Sequence, residues 1–510
     1  MAIPSKKRAS SPQYVSPTQL TLSGFESPFE RKLNPQNRWV VLSKLIPWDL
    51  ICNTYLHHVP ISSTGRPPIS PRVIIGALII KHLGDLDDRD TIEQISENIY
   101  MQYFLGYPTF TDEAPFDASL FVEIRKRLGL DAVNALNEQI VKLRVKQESC
   151  LGSLSSTPPD EPKQDQDNNQ PDCPANHKGT VIMDATACPQ NIAYPTDLNL
   201  LNDAREKTEE LIDILYRKPL HGTKPRTYRE IARKLYLKTA QKKNKSRKEI
   251  YKAVGSQLRL LKRNIKHLNE LLDAYEVIPL NPKELKYLYV VQTLYQQQLE
   301  MHQNKTHSVA DRIVSIHQPH VRPIVRGKSQ AKVEFGAKIH ASIVDGITFL
   351  DELGWDAFNE GSHMEQYLNK YLQRFGCYPK ELLADKIYCT RENRRMLKEK
   401  GIKLKAKPLG RPIASALKIQ LSPGERNPIE GKFGQAKTAY GLGCIKARLK
   451  QTSETWIACI FLVLNLVKLA GLALLCQIIS AVKSFSAQFE IIDGKPRIEN
   501  YCQIFIINTA

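Results

Sequence analysis

Two hydrophobic runs in this chain stop on a carboxylate. "GTVIMDATA" reads as a buried strand ending in Asp184, and "PKELLADKIY" as a short strand running into Asp385. Between them, "KVEFGAKIHASIVDGITFLDELGW" alternates on both sides of Asp345-Gly346, the pattern of a β-hairpin, and a helix is expected around 361–375. After Asp385 come a helix near 391–400, a strand in "GIKLKAK", a loop punctuated by Pro and Gly, and a helix at Glu430. Strands alternating with helices predict an α/β fold, a mixed sheet flanked by helices. In such a sheet the strand ends gather at one edge, so acids far apart in sequence can converge.

The rest of the chain organises around that core. Residues 36 to about 147 carry helical patterns: "PPISPRVIIGALIIKHL" opens after prolines, "DRDTIEQISENIYMQYFLGY" starts with Asp90 and Glu93 at capping-box spacing, and "ASLFVEIRKRLG" ends at Gly129 as a C-cap would. Short helices carrying Arg125, Lys126 and Arg127 fit a helix-turn-helix-like DNA-binding module, with a plain helical bundle as the alternative. The expected division is an all-helical N-terminal domain over 1–147, a polar, Pro-rich linker over 148–178, the sheet domain over 179–480 and a tail over 481–510. A basic helical insertion is expected at about 197–305. Its Val254, Leu258, Leu261, Ile265, Leu268 and Leu272 step like a coiled-coil seam, and Asn281, Pro282 and Glu284 restart a second helix. This predicts a helical hairpin with "KKNKSRK" (242–248) at an exposed turn, either a solvated charge run or a contact to DNA backbone.

Composition narrows the partners. Lys and Arg number 72 against 53 Asp and Glu, a net charge of +19, which points to a polyanion. The ten cysteines are scattered without C-x-x-C or zinc-finger spacing and read as reduced cytosolic thiols; the N-terminus lacks an apolar stretch behind its basic residues and does not read as a secretory signal. "WIACIFLVLNLVKLAGLALL" (456–475) is long enough to span a bilayer, but Asn465 and Lys468 inside it favour a buried helix, and no membrane partner is expected. The absence of a Walker A loop and of G-x-G-x-x-G predicts no nucleotide cofactor.

A third acid stands in "RNPIEGKFGQAK". Glu430 follows Arg426 by four residues and precedes Lys437 by seven, two helical turns. Locally, Asn427-Pro428-Ile429-Glu430 also reads as a helix start, with Asn as N-cap and Glu reaching back to it. With Asp184 and Asp385 it forms instead an ordered set of three carboxylates, whose mutual repulsion a divalent metal relieves; oxygen ligands without His or Cys favour Mg²⁺ or Mn²⁺. Asp351, Glu352 and Asp356, near a strand end, are the reserve candidates.

This arrangement resembles the DDE transposases of bacterial insertion sequences, in particular the insertion-sequence family five group and its family four relatives. "IMDAT" looks like their first acidic region, "LLADKIY" like the second, and Arg426, Glu430 and Lys437 match the last three terms of their Tyr-x2-Arg-x3-Glu-x6-Lys third region; Pro423 stands at the Tyr position and Ile387 where Gly is common. The resemblance implies an RNase H-like catalytic core with Asp184, Asp385 and Glu430 as catalytic residues and ligands of two metal ions, Asp184 bridging them. It also implies that Arg426 and Lys437 bind phosphates, with Lys386, Arg391, Arg394 and Arg395 as further DNA contacts. The activity implied is cleavage and strand transfer at the terminal inverted repeats of double-stranded DNA, by a homodimer, in the cytoplasm and at the nucleoid. A nuclease without strand transfer, and a catalytically inactive DNA-binding relative suggested by Pro423, are the alternative readings.

Overall fold

The computed structural model describes residues 32–59, 68–152, 177, 179–325, 333–406 and 424–487. Most of the segment read as a linker, the loop containing Pro423 and the end of the tail lie outside the described residues. Six helices come first: α1 (Arg38–Leu45), α2 (Trp48–His58), α3 (Pro71–Leu83), α4 (Asp88–Glu97), α5 (Ile99–Leu105) and α6 (Leu120–Gly152). Asp87, not Asp90, caps α4, accepting the N–H groups of Arg89 and Asp90. Gly129 breaks the helical path of α6 with φ 67°, as its C-cap reading requires, but helix resumes and reaches Gly152, past the expected boundary at 147, since "IVKLRVKQESCL" holds no breaker.

The sheet contains β1 (Thr180–Pro189), β2 (Arg322–Val325), β3 (Val333–Val344), β4 (Ile347–Gly354), β5 (Glu381–Leu383) and β6 (Lys403–Lys405). Its order is β2-β3-β1-β5-β6, with β4 also on β3. β1 pairs antiparallel with β3 and parallel with β5, and β5 parallel with β6, so the sheet is mixed as expected. β2, a short strand without an alternation signal, escapes the sequence reading. The β3–β4 turn has positive φ at both Asp345 (50°) and Gly346 (83°), the geometry that a two-residue hairpin needs. At Gly336, a Cβ would lie 2.0 Å from the Cys188 carbonyl oxygen, so only glycine lets β3 close on β1 there.

Between β1 and β2 the insertion forms α7 (Asp197–Leu215), α8 (Lys218–His221), α9 (Arg229–Ala240), α10 (Arg247–Leu272) and α11 (Pro282–Gln303). The expected hairpin is therefore part of a five-helix unit, in which α7 packs against both α10 and α11. Capping boxes at Ser246/Glu249 and Asn281/Glu284 start α10 and α11. Val254, Leu258, Leu261 and Leu268 are buried, residues 242–246 form an exposed turn, and Arg247 and Lys248, also exposed, open α10.

After the hairpin come α12 (Met364–Phe375), α13 (Arg391–Glu399), α14 (Asn427–Ala439) and α15 (Lys450–Ala487), the last running through the expected boundary at 480. α15 is the helix that joins the two halves: it packs on α3, α6 and β4, and its buried Trp456–Leu466 stretch lies in one core with Trp48, Ile75, Phe121 and Ile339. The N-terminal helices thus share a core with the sheet instead of enclosing their own. Most of the apolar window of α15 is buried in protein, and Asn465 explains its polar break: its Oδ1 accepts the Thr348 N–H at 2.8 Å, and its Nδ2 donates to the Thr348 carbonyl and Asn137 Oδ1, both at 2.7 Å. Arg125, expected on a DNA-facing surface, is buried beside the same helix, bonded through both terminal nitrogens to Asp88 (2.7 and 2.8 Å) and stacked over Trp456. Lys126 and Arg127 remain exposed.

Replacing Asn465 by Ala takes away the partner of the buried Thr348 N–H and Asn137 Oδ1, so Asn465→Ala is expected to lose about 2–4 kcal/mol of stability. Urea denaturation measures it; a loss within experimental error of zero would mean that the network does not hold α15 to β4.

Candidate active site

Strand register brings the first two acids together. Ile182 pairs with Leu383 as the last pair of the parallel β1–β5 ladder, so Asp184 and Asp385, each two residues beyond that pair, leave the ladder side by side, close enough for Arg426 to contact both. Asp184 does not end its strand, as the sequence suggests; β1 continues to Pro189 because β3 keeps pairing with it as far as Gly336. Asp184 sits instead where β1 loses its parallel neighbour β5. Alternation sends Val181 and Met183 into the core under α12, and Ile182, with Asp184 two residues on, to the opposite face, where α14 packs. Asp385 caps a short 3₁₀ turn, Lys386–Tyr388, accepting the Lys386 N–H at 2.7 Å.

The third acid arrives on α14, which lies against β1 and β3 and buries Ile429, Phe433 and Ala436. The expected capping box is not formed. Arg426 occupies the N-cap position without a side-chain cap, Asn427 is already helical, and its N–H goes to the Gly424 carbonyl. Glu430 is therefore one position too deep to serve as the capping acid, and its exposed carboxylate acts on Asp184 electrostatically. The segment after α14 is tied to β1: Ile445 N–H donates to Pro189 O, Asn191 N–H to Ile445 O, and the buried Gln190 side chain donates to Ala447 O and Ser453 Oγ. These bonds fix α14 against the strand that carries Asp184.

Burial raises the pKa of Asp184 above the ordinary carboxylate range, and the charges of Asp385 and Glu430 add to the rise; the Ala185 N–H and Arg426 oppose it. Arg426 lies among the acids, Nη2 at 3.0 Å from Asp184 Oδ2 and Nη1 at 3.4 Å from Asp385 Oδ1. Arg426 thus pairs with two of the three carboxylates. Among the described residues no three His, Cys, Asp or Glu side chains form a ready-made metal cage. The all-oxygen donors nevertheless fit a hard divalent cation, while Arg426 already supplies positive charge between two of them.

The other candidates are placed as follows. Lys437 is half-buried on α14, two turns beyond Glu430; Lys386, Arg391, Arg394 and Arg395 are exposed, Arg395 with Glu399 at 3.6 Å. The reserve acids have partners elsewhere: Asp351 is buried against Arg374 and His340, Glu352 accepts from His363 and Tyr367, and Asp356 faces Arg322. Behind Asp184 lies a buried polar layer that sequence reasoning missed. His340, opposite Ala185 in the β1–β3 register, stacks on Tyr367 with ring centroids 3.5 Å apart. Tyr388 is wholly buried, and burial together with the charges of Glu360 and Asp184 pushes its phenol far up. The spacing of "KIH" on a strand and of Tyr388 three residues after Asp385 was the available signal.

Because the folded protein holds the Asp184 proton more tightly than the unfolded chain does, stability falls as pH rises from the ordinary carboxylate range through the raised pKa. Asp184→Asn removes that charge and keeps an acceptor for the Ala185 N–H. In metal-free buffer at pH 7 the variant is expected to melt about 1–3 °C above wild type and to lack this part of the pH dependence. A lower melting temperature would show that the pair with Arg426 outweighs the burial of the charge.

Comparison with known proteins gives two family matches. Residues 27–127 match the family model described as "Transposase domain (DUF772)", and residues 382–467 match that of the "Transposase DDE domain". The second match contains Asp385, Arg426, Glu430 and Lys437, whereas Asp184 lies outside both. A Rhizobium meliloti protein, "Uncharacterized protein ORF8 in nfe locus", is 30% identical over 177 residues, covering 34% of this chain and 73% of that protein. No solved structure gives a significant match. A DDE domain is a phosphodiester-cleaving and phosphodiester-transferring unit that generally works with divalent metal ions. The chain belongs to the DDE transposases of insertion sequences.

Proposed function

We propose that this transposase binds the terminal inverted repeats of its insertion sequence, cleaves the DNA there and joins the freed ends to target DNA, working as a homodimer at the nucleoid. We further read its mixed sheet as an RNase H-like core and place the chain nearest insertion-sequence family five and its family four relatives. The observation that carries the proposal is that Asp184 and Asp385 follow the last pair of the parallel β1–β5 register by the same two residues and share Arg426, while α14, which carries Glu430, packs on β1 and β3. β1 flanked by antiparallel β3 and parallel β5 supports the fold reading, and Arg426, Glu430 and Lys437 at their spacing support the subgroup.

In this reading Asp184, Asp385 and Glu430 would be the residues that hold the Mg²⁺ or Mn²⁺ ions. Bound ions of this kind activate a water or a 3′-hydroxyl and stabilise the leaving oxygen. Arg426 and Lys437 hold phosphates next to the scissile bond, since cations cannot share the ligand role. Lys386, Arg391, Arg394 and Arg395 follow the DNA backbone from the exposed side of α13 and its approach. The turn 242–248 of the insertion adds exposed cations, of which Lys242 faces Glu249. The net charge of +19 supports such a polyanion partner.

Cleavage of a labelled duplex carrying the element's end, with Mg²⁺ or with EDTA, tests the assignment. Asp184→Ala, Asp385→Ala and Glu430→Ala are each expected to reduce metal-dependent nicking by about 10³-fold or more while end binding persists. Activity that survives any one of these substitutions removes that residue from the site; tight binding without wild-type cleavage refutes the catalytic reading.

For the insertion, Lys243→Ala, Arg247→Ala and Lys248→Ala combined are expected to lower the slope of log affinity against log salt by up to about 0.9 for each phosphate no longer neutralised, similarly for specific and unrelated duplexes. An unchanged slope in a salt titration would place this turn away from DNA.

A further inference from the structure

We infer that Arg426 is the resident counter-ion of the metal-free site: it holds Asp184 and Asp385 together until a divalent ion displaces it, and the displaced guanidinium then takes a DNA phosphate. This rests on the reading of the three acids as metal ligands. It goes beyond a fixed phosphate-binding role, because it makes metal loading and phosphate capture two positions of one side chain.

Arg426 spans the two aspartates that register brings level, one terminal nitrogen on each, at 3.0 and 3.4 Å. That is the place between carboxylates where a shared cation is best stabilised. Its hold there is incomplete: the second contact is long, and the buried Nε has no hydrogen-bond partner among the described residues. A divalent ion at the same place carries twice the charge of the guanidinium and so gains more attraction from the carboxylates than the guanidinium does. A guanidinium cannot relieve the competition by losing its proton, so it leaves only by moving. Arg426 is well placed to move, since it stands at the N-cap of α14 with no side-chain cap to lose, and its planar donors suit phosphate oxygens as well as carboxylates. Metal and DNA phosphate then favour each other's binding through this one residue, and the coupling is reciprocal.

The exchange predicts an effect of unusual sign: removing a cation that merely braces the site weakens metal binding, whereas removing a competitor strengthens it. Mn²⁺ binding to the full chain without DNA, followed by the electron paramagnetic resonance of free Mn²⁺, separates the two. Arg426→Gln, with its fold verified by circular dichroism, is expected to bind Mn²⁺ roughly 3- to 10-fold more tightly than wild type. Arg426→Lys, which keeps the charge but reaches one aspartate at a time, is expected to fall between them and serves alone if the Gln variant does not fold. Affinity equal to or below wild type in the folded variants overturns the exchange. Asp184→Asn and Asp385→Asn are the control for the underlying site: if wild type binds no Mn²⁺, or if both variants bind it as wild type does, the metal-site reading itself fails and the exchange falls with it.

Discussion

The pairing of Ile182 with Leu383 is the constraint on which the site depends. Parallel strands hold residues of equal offset level, so this one pairing sets Asp184 beside Asp385 although about two hundred residues separate them. A one-residue slip would turn one of the acids to the opposite face, into the core beneath α12. The antiparallel side of β1 defends the register: β3 pairs with it along nine consecutive residues, and Gly336 permits their close approach at the far end. The insertion can grow between β1 and β2 without disturbing the acids because it is connected beyond the end of that pairing.

Concentrating carboxylates has an electrostatic consequence that the protein only partly offsets. Burial and two like charges act against the ionised form of Asp184, and one guanidinium opposes them. The cation that Asp184 gains is Arg426, which comes from the N-terminal end of α14. The buried layer of His340, Tyr367 and Tyr388 behind β1 leaves little room for the strand to relax away from that repulsion.

α15 has the complementary role of joining the halves. Its apolar length satisfies the criteria for a membrane span, yet most of that length is buried against α6, α3 and β4, and the bonds of Asn465 to Thr348 and Asn137 give its polar break a place inside the protein. The same packing buries Arg125 against Asp88 and Trp456. A basic run on a helix therefore divided, with Lys126 and Arg127 in water and Arg125 in the core. Periodicity alone did not reveal that division, because the partner that covers Arg125 is distant in sequence.

What the sequence by itself determined is local. The hairpin at Asp345-Gly346, the helix start at Asn281 and Glu284 and the break at Gly129 each rest on residues within a few positions of one another, and the order of the three acids is read directly along the chain. Where two local signals competed, the nearer one misled: Asn427 with Glu430 and Asp90 with Glu93 have capping-box spacing, but each helix begins earlier than that spacing implies, at Asn427 and Asp88. Only the tertiary structure decided that β1 runs on past Asp184, that β2 joins the sheet, that the N-terminal helices share a core with it, and that Arg426 lies between Asp184 and Asp385. The physical reason is the same in each case: hydrogen-bond register, burial and charge pairing are set by partners far away in the chain, which no short window of sequence contains.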